Sequence, residues 1–179
     1  MPEASEYKAP RWAWWVATGF GSGRLKPGPG TWGSLVAAIA WFGLVLPSSL
    51  LPPVVFECLI AGLTLAMIVV SIFVTGLVIR QIQTKDPRCI VSDEWAGMWL
   101  ALWPTRHYVS EAIYGGGLKM AVALIFAAFL FFRLFDILKP WPIRKLESLP
   151  GPWGVTMDDV MAGIFAALLV YGGMAMLLP

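Results

Sequence analysis

Charged residues are scarce in this sequence. They make up 13% of its 179 residues, against 58% hydrophobic residues, and the mean hydropathy is +0.72. Soluble domains usually carry about 25% charge, so the composition argues against a water-soluble domain and indicates a bilayer as the solvent. The net charge of +2 is too small to indicate a nucleic-acid partner. The length suits one integral-membrane domain covering residues 1–179.

Histidine and cysteine are also rare. His107 is the only histidine, and its loop offers no evident partner set, so we do not expect it to be catalytic. Cys58 lies in an apolar run and Cys89 in a charged loop, and neither belongs to a metal-binding CxxC spacing. No disulfide framework is therefore expected.

A cleavable leader is not expected either. The N-terminal apolar stretch is broken by glycines, lacks a small-residue cleavage pattern and is followed by Arg24 and Lys26. Its tryptophans, Trp12, Trp14 and Trp15, fit better as an anchor at the membrane interface.

Long uncharged runs are abundant instead. Residues 32–51 are enough to cross a hydrocarbon core of about 30 Å at about 1.5 Å per residue. Residues 54–79 return across it, and residues 120–132 with their flanks and residues 160–178 supply two further helices. Together with one shorter segment, these runs predict an all-α fold, a polytopic membrane bundle of about five helices.

The shorter segment is residues 93–103, which begins with Asp93 and Glu94. At about 1.5 Å per residue it is too short to cross fully. Either the helix starts earlier, near Cys89, or it is a half-span completed by irregular chain buried in protein. Gly97 lies on the acidic face, so another helix can approach closely there and bury the acids.

Charge is concentrated in residues 133–163, where four acidic and four basic side chains separate two apolar segments. Arg133 and Asp136 are three residues apart and share a helix face, and two prolines end that helix. Asp158 and Asp159 are predicted to open the next helix. N-capping by itself is an alternative explanation for an Asp at such a position.

A glycine-rich turn, residues 28–34, enters the first span. Thr31 is a candidate N-cap, and the backbone amides around Gly30 and Ser34 can face an anion. The spacing matches neither GxxxxGK[ST] nor GxGxxG, so a plain helix start is the open alternative.

Basic residues are divided unequally between the two sides of the predicted bundle. Eleven of the thirteen, Lys85 and Lys145 among them, fall on the side of the N-terminus, leaving Arg106 and Lys119 for the other. The positive-inside rule makes the first side cytoplasmic, and five crossings place the C-terminus outside. The acids expected to meet at this cytoplasmic surface are Asp93, Glu94, Asp136, Asp158 and Asp159.

These five carboxylates, with no histidine or cysteine ligand, indicate a hard divalent cation, Mg²⁺ before Zn²⁺. Arg133 can hold phosphate oxygens through two hydrogen bonds, Lys139 adds a point charge, and a metal can activate water, which together suit hydrolysis of a phosphate ester. The sequence contains no CxxxxxR thiolate loop and no DxDxT motif. Water is therefore the favoured attacker, and Thr31 is the alternative nucleophile. The residues predicted to bind phosphate are Gly30, Thr31, Ser34, Arg133, Lys139 and Arg144.

Four motifs together resemble the phosphatidylglycerophosphatase A family. They are FGSG with PGTWGSL in residues 20–35, SDEWAGMW in 92–99, FRLFDILKPWPI in 132–143 and GVTMDDVMAG in 154–163. The resemblance covers most of residues 17–175, and the sequence departs from it at Trp32, where members often have Met. It implies an all-α, Mg²⁺-dependent lipid phosphatase of the bacterial inner membrane that converts phosphatidylglycerophosphate to phosphatidylglycerol and inorganic phosphate. It marks as the site group Asp93, Glu94, Arg133, Asp136, Lys139, Asp158 and Asp159.

A small cation- or proton-coupled membrane transporter is the alternative class, because intramembrane acids also bind cations and relay protons. The predicted acids lie at one face beside bases suited to phosphate, whereas a transporter needs access from both sides. The expected partners are a phospholipid substrate and membrane lipids.

Overall fold

A computed structural model describes residues 7–84 and 87–177. Within these residues the protein is all-α, as predicted. Lys85, which was used to predict the orientation, lies outside the described residues. The helices are α1 (Arg11–Ala17), α2 (Pro29–Val45), α3 (Pro53–Ile82), α4 (Ser92–Leu102), α5 (Arg106–Tyr114), α6 (Leu118–Leu138), α7 (Ile143–Glu147) and α8 (Pro152–Leu177).

Four helices of the described chain are long and apolar enough to cross a membrane. They are α3 with 30 residues, α8 with 26, α6 with 21, and α2 with its following turn, Pro29–Ser48, with 20. At about 1.5 Å per residue each spans about 30 Å or more. The prediction of a polytopic helical membrane protein is confirmed.

Prolines set two helix starts that the sequence analysis placed too late. α2 begins at Pro29 with Gly28 as its N-cap, and α8 begins at Pro152. Proline fits the first position of a helix because its φ is already helical and no N–H is left without a partner. The prediction of Thr31 as an N-cap is therefore wrong. Asp158 and Asp159 do not open a helix but lie in the second turn of α8.

The short acidic segment forms α4, which starts at Ser92 and not near Cys89. Nine of its 11 residues are buried, and α2, α3, α6 and α8 pack around it. A 3₁₀ turn, Trp103–Thr105, and then α5 continue the chain. This agrees with the half-span alternative, because a helix too short for the bilayer must have its ends enclosed by protein.

Glycines allow α4 and α8 to cross closely. A Cβ on Gly97 would lie 2.5 Å from the carbonyl oxygen of Asp159, and a Cβ on Gly163 would overlap the carbonyl group of Gly97. Only glycine fits at either position. Gly97 follows Asp93 by four residues and Gly163 follows Asp159 by four, so each glycine shares a face with an acid. The prediction that a helix packs on the acidic face of α4 is confirmed.

The segment between α4 and α6 was expected to be a loop, but it contains α5. There Arg106 Nε lies 2.6 Å from Glu57 Oε1, and His107 Nε2 lies 2.7 Å from the same oxygen. The expectation that His107 has no partner is wrong. Its partner lies 50 residues away in the sequence, at the start of α3, and no local pattern indicates such a contact.

Candidate active site

One cleft gathers the acids that the sequence predicted to meet. It has a volume of about 440 Å³ and lies where α2, α4 and α8 begin and α6 ends. Separate helix ends thus contribute to a single polar site. The carboxylate residues that line it are Asp93, Glu94, Asp136, Glu147, Asp158 and Asp159.

Three of these acids form a compact triad, Asp93, Glu94 and Asp159. One oxygen from each lies within 4.8 Å of the other two. Glu94 Oε2 and Asp159 Oδ1 are buried and have no hydrogen-bond partner among the described residues. A buried carboxylate oxygen without a partner is costly, and a hard divalent cation satisfies several such oxygens at once. The triad therefore fits a metal ion.

Burial disfavours negative charge on the acids of α4. Desolvation, followed by the charge of Glu94, raises the pKa of Asp93 well above its usual value. Desolvation likewise raises the pKa of Glu94 to about 8; the charges of Asp159 and Asp136 add to the rise, and Asp93 and Arg133 oppose it. Burial is the main cause of both shifts and the neighbouring acids add to it, so a cation bound at the triad would favour the ionised carboxylates.

The remaining predicted acids already have basic partners. Asp136 Oδ2 lies 2.6 Å from Arg133 Nη1. Asp158 Oδ2 lies 2.7 Å from Lys139 Nζ. The five acids therefore divide into three without a base and two that hold one. Asp136 and Asp158 lie outside the group that can hold one ion, so a metal-binding role for them stays a prediction.

The two acidic pairs of α4 and α8 share one local geometry. Asp93 Oδ1 accepts a hydrogen bond of 3.0 Å from the amide of Glu94, and Asp158 Oδ1 accepts one of 3.0 Å from the amide of Asp159. In each pair one oxygen of the first carboxylate is turned back to its own helix. This contact limits the orientations that the first acid of each pair can adopt.

Arg133 and the glycine-rich turn meet beside the triad. Arg133 Nη1 lies 3.4 Å from Ser34 Oγ, and its buried Nε has no partner among the described residues. The Ser34 hydroxyl donates to the carbonyl oxygen of Gly30 at 2.8 Å. A Cβ on Gly30 would overlap the Glu94 carboxylate and lie 3.2 Å from Arg133 Nη1. The Glu94 carboxylate and the Arg133 guanidinium therefore both face the space that a side chain at position 30 would fill.

Three residues predicted to bind phosphate, Thr31, Ser34 and Arg144, are not among those that line the cleft. Ser34 is buried and contacts Arg133, which does line it. Thr31 is exposed, although its neighbours Pro29 and Gly30 do line the cleft. Arg144 is exposed on α7 and borders a separate outer groove beside Trp141. The structure therefore does not bring Thr31 or Arg144 to the triad, and the phosphate-binding roles of all three residues stay predictions.

Two charged residues that line the cleft were not predicted as site residues. Arg88 lies in the loop before α4 and was used only for the orientation. Glu147, at the end of α7, lies 3.2 Å from Lys139 Nζ through its Oε1. It belongs to the charge-rich residues 133–163, so this stretch was the available signal for it. No comparable signal singled out Arg88.

The fold and the cleft define a class: a polytopic helical membrane protein whose buried acidic triad can hold a metal beside an arginine and a lysine. Comparison with known proteins identifies the family. The sequence profile described as Phosphatidylglycerophosphatase A matches residues 15–174. The chain belongs to this family, so it is a lipid phosphatase with several membrane helices, and its substrate is a phospholipid phosphate. The resemblance found in the motifs is confirmed.

Individual relatives are similar over most of their length. A phosphatidylglycerophosphatase A from Haemophilus influenzae is 36% identical over 163 residues, 87% of this chain and 85% of the relative. One from Escherichia coli is 32% identical over 160 residues, 87% and 80% of the two chains. A Bacteroides thetaiotaomicron protein, provisionally named phosphatidylinositol-3-phosphatase, is 35% identical over 158 residues, 87% and 89% of the two chains. No solved structure matches the chain.

Proposed function

We propose that this protein hydrolyses the terminal phosphomonoester of phosphatidylglycerophosphate to give phosphatidylglycerol and inorganic phosphate. Two relatives carry the name of this activity. The observation that carries the proposal is that the Arg133 guanidinium and the Glu94 carboxylate of the triad both face the space that a side chain at Gly30 would fill. A cation site and an anion site then lie side by side, as metal-assisted hydrolysis of a phosphomonoester requires. Membership of a phosphatase family also favours the enzyme over the alternative of a transporter.

Asp93, Glu94 and Asp159 are the residues that would hold Mg²⁺. The residues that line the cleft in the described chain include no histidine or cysteine, so the donor set consists of oxygens, which suits a hard cation. Bound there, Mg²⁺ would polarise a phosphoryl oxygen and lower the pKa of water. Because Thr31 is not among the residues that line the cleft, we propose water as the attacking group.

Arg133 and Lys139 bind and neutralise the phosphate in this proposal. Arg133 has an unused buried donor, Nε, beside the two contacts of its Nη1, and a guanidinium can hold two phosphate oxygens. Burial opposes the charge of Lys139, but the hydrogen bond and charge of Asp158 outweigh it and raise the pKa of Lys139 above its usual value. The lysine therefore stays cationic at neutral pH. Asp136 and Asp158 act as positioning residues for these two bases.

The reaction breaks the bond between phosphorus and the glycerol oxygen. The oxygen of water forms the new bond to phosphorus, and the glycerol oxygen leaves with a proton. The amides of Gly30 and Thr31 lie in the first turn of α2, where no carbonyl of the same helix can accept from them. They and the positive end of the helix dipole favour an anion at this position.

Phosphate release by the purified protein in mixed micelles tests the proposal. The substrates are phosphatidylglycerophosphate, phosphatidylinositol 3-phosphate, phosphatidic acid and soluble glycerol phosphate, each with Mg²⁺ and with a chelator. We expect the fastest release from phosphatidylglycerophosphate, loss of release in chelator, and recovery when Mg²⁺ is added back. Faster phosphate release from phosphatidylinositol 3-phosphate would show that this lipid, and not phosphatidylglycerophosphate, is the preferred substrate. Full activity in chelator would contradict the metal site, and equal rates on the soluble ester would contradict a site built for a membrane lipid.

We also propose that the cleft faces the cytoplasm, with the protein in the inner membrane and its N-terminus on the cytoplasmic side. The unequal division of basic residues supports this orientation. Single cysteines at Lys145 and at His107, with Cys58 and Cys89 changed to serine, test it in intact cells. A membrane-impermeant maleimide should label position 107 and leave position 145 unlabelled. The reverse pattern would place the cleft on the outer face.

A further inference from the structure

An apolar groove lies between α2 and α6, beyond the cleft. It has a volume of about 330 Å³, and every described residue that lines it is hydrophobic. Leu35 and Phe129 border one end, Phe42 and Val122 border the other, and Ala38 lines it between them. Ala38 is a small, buried residue, so it gives the groove depth where a larger side chain would fill it.

The groove and the cleft are built on the same two helices. The contact of 3.4 Å between Arg133 Nη1 and Ser34 Oγ joins α6 to α2 at the level between the two cavities. Leu35 directly follows Ser34, and Phe129 precedes Arg133 by four residues. The groove therefore begins about 6 Å along the helix from the arginine, at 1.5 Å per residue.

From that end the groove continues away from the cleft. Leu35 and Phe42 are seven residues apart on α2, and Val122 and Phe129 are seven apart on α6, which corresponds to about 10 Å on each helix. Both helices are long enough to cross a bilayer. The groove thus follows the direction that the tails of a lipid take when its headgroup lies at the cleft.

We propose that this groove binds an acyl chain of the phospholipid substrate whose phosphate binds in the cleft. The inference rests on the proposed function only in requiring a phospholipid phosphate as substrate. Bulk lipid covers every outward helix face and is as apolar as the groove, so burial from water does not select this site. A concave surface that contacts a chain on several sides adds packing contacts, and a held chain restricts where the headgroup can lie. Filling the groove should therefore affect turnover through the position of the phosphate.

A second groove provides a matched control. It lies between α6 and α8, has the same volume of about 330 Å³, and is lined mainly by hydrophobic residues such as Leu124 and Leu169. Leu169 follows Asp159 by ten residues on α8, about 15 Å along the helix. On α6 this groove reaches Phe131, two residues from Arg133, but none of its described lining residues lies on α2, whose first turn borders the cleft. The proposal places the acyl chain on the α2 face of α6, so filling the groove on the α8 face should leave turnover unchanged.

The experiment compares Val122→Trp with Leu169→Trp. Both positions are exposed toward the lipid, at 55% and 47%, so the fold has room for either tryptophan. Phosphate release is measured in mixed micelles with the dioctanoyl and dioleoyl forms of phosphatidylglycerophosphate at equal surface fraction. For Val122→Trp we expect kcat/KM on the dioleoyl lipid to fall roughly tenfold, within the effect of a misplaced reacting group. The dioctanoyl lipid, whose chains are less than half as long and make fewer packing contacts, should lose less, and Leu169→Trp should alter neither rate.

Activity on the short lipid also reports that each variant is folded. Ile39→Trp, on the α2 wall of the groove, is the second variant and should show the same selective loss. An equal loss on both chain lengths, an unchanged rate on the long lipid in both groove variants, or a selective loss in Leu169→Trp would overturn the proposal. If wild type hydrolyses only the inositol lipid, the proposed substrate fails by itself, and the same two chain lengths of that lipid test the groove.

Discussion

The two ends of the helical bundle differ in how well their acidic and basic side chains are matched. Among the described residues, the cleft is lined by six carboxylates and three bases, and its triad has no base of its own. At the other end Glu57 accepts from both Arg106 and His107. Charges that are matched within the chain need no ligand, whereas an excess of buried carboxylate requires a cation from outside. The imbalance of charge, more than its presence, distinguishes the candidate active site.

Burial separates the two ends as well. Asp93 and Asp159 are 5% and 4% exposed. The side chains of Glu57 and His107 are 33% and 51% exposed, so water already solvates much of their charge. An ion pair that stays in contact with water contributes little to stability. Substitutions at the two ends should therefore differ sharply in their effects.

The largest effect is expected from removing one charge of the triad. Asp159→Asn keeps the size of the side chain but weakens the metal site, so phosphate release should fall at least about a hundredfold. Asp93→Asn should behave alike. Retention of full activity in both variants would remove the argument for a metal at the triad. Thermal unfolding followed by tryptophan fluorescence would show that the variants remain folded, and His107→Ala is the control with near-normal activity.

A smaller loss is expected when Arg133 becomes lysine. Lysine keeps the charge but cannot hold Asp136 and phosphate oxygens with one planar group, so kcat/KM should fall about ten- to a hundredfold. The unfolding temperature should change little. Arg88→Lys is the matched control, because Arg88 borders the same cleft but is exposed. Because lysine keeps the charge at this exposed position, we expect kcat/KM of the control to stay within about threefold of wild type. An equal loss in both variants would show that Arg133 has no special contact with phosphate.

The crossing of α4 and α8 can be tested through stability. In Gly163→Ala the added methyl group would overlap the carbonyl group of Gly97, so the helices must separate at a cost of about 1 to 3 kcal/mol. Activity should fall with the displacement of Asp159. In Gly173→Ala, on the same helix, no described atom lies within 4 Å of the new Cβ. Equal unfolding temperatures for the two variants would be incompatible with the close crossing.

The smallest effect is expected at the end opposite the cleft. Glu57→Gln removes the charge that Arg106 and His107 share, so the unfolding free energy should fall by at most about 1 kcal/mol. Phosphate release should remain within a factor of two or so of wild type. A severe loss of turnover in a folded Glu57→Gln protein would show that this end takes part in the reaction and would remove the contrast between the two ends.

Local patterns predicted the helices better than their starts. The uncharged runs that form α2, α3, α6 and α8 can be recognised in the sequence because a membrane helix must be apolar along most of its length. Pro29 and Pro152 set the starts of α2 and α8 earlier than the acid and threonine signals suggested. α5 was missed because it is short and its composition is mixed, so it has no apolar run.

The sequence by itself determined that the chain is an all-α membrane protein and which acidic and basic residues are available for chemistry, because hydropathy and charge are properties of each residue in order. Only the tertiary structure decided which acids keep a base and which do not. Asp136 pairs with Arg133 on the same helix, α6, and Asp158 pairs with Lys139, the residue that follows the end of α6. Asp93 and Glu94 of α4 instead meet Asp159 of α8, another acid. That meeting depends on the approach of α4 and α8 at Gly97 and Gly163, and a distance between helices has no local periodicity.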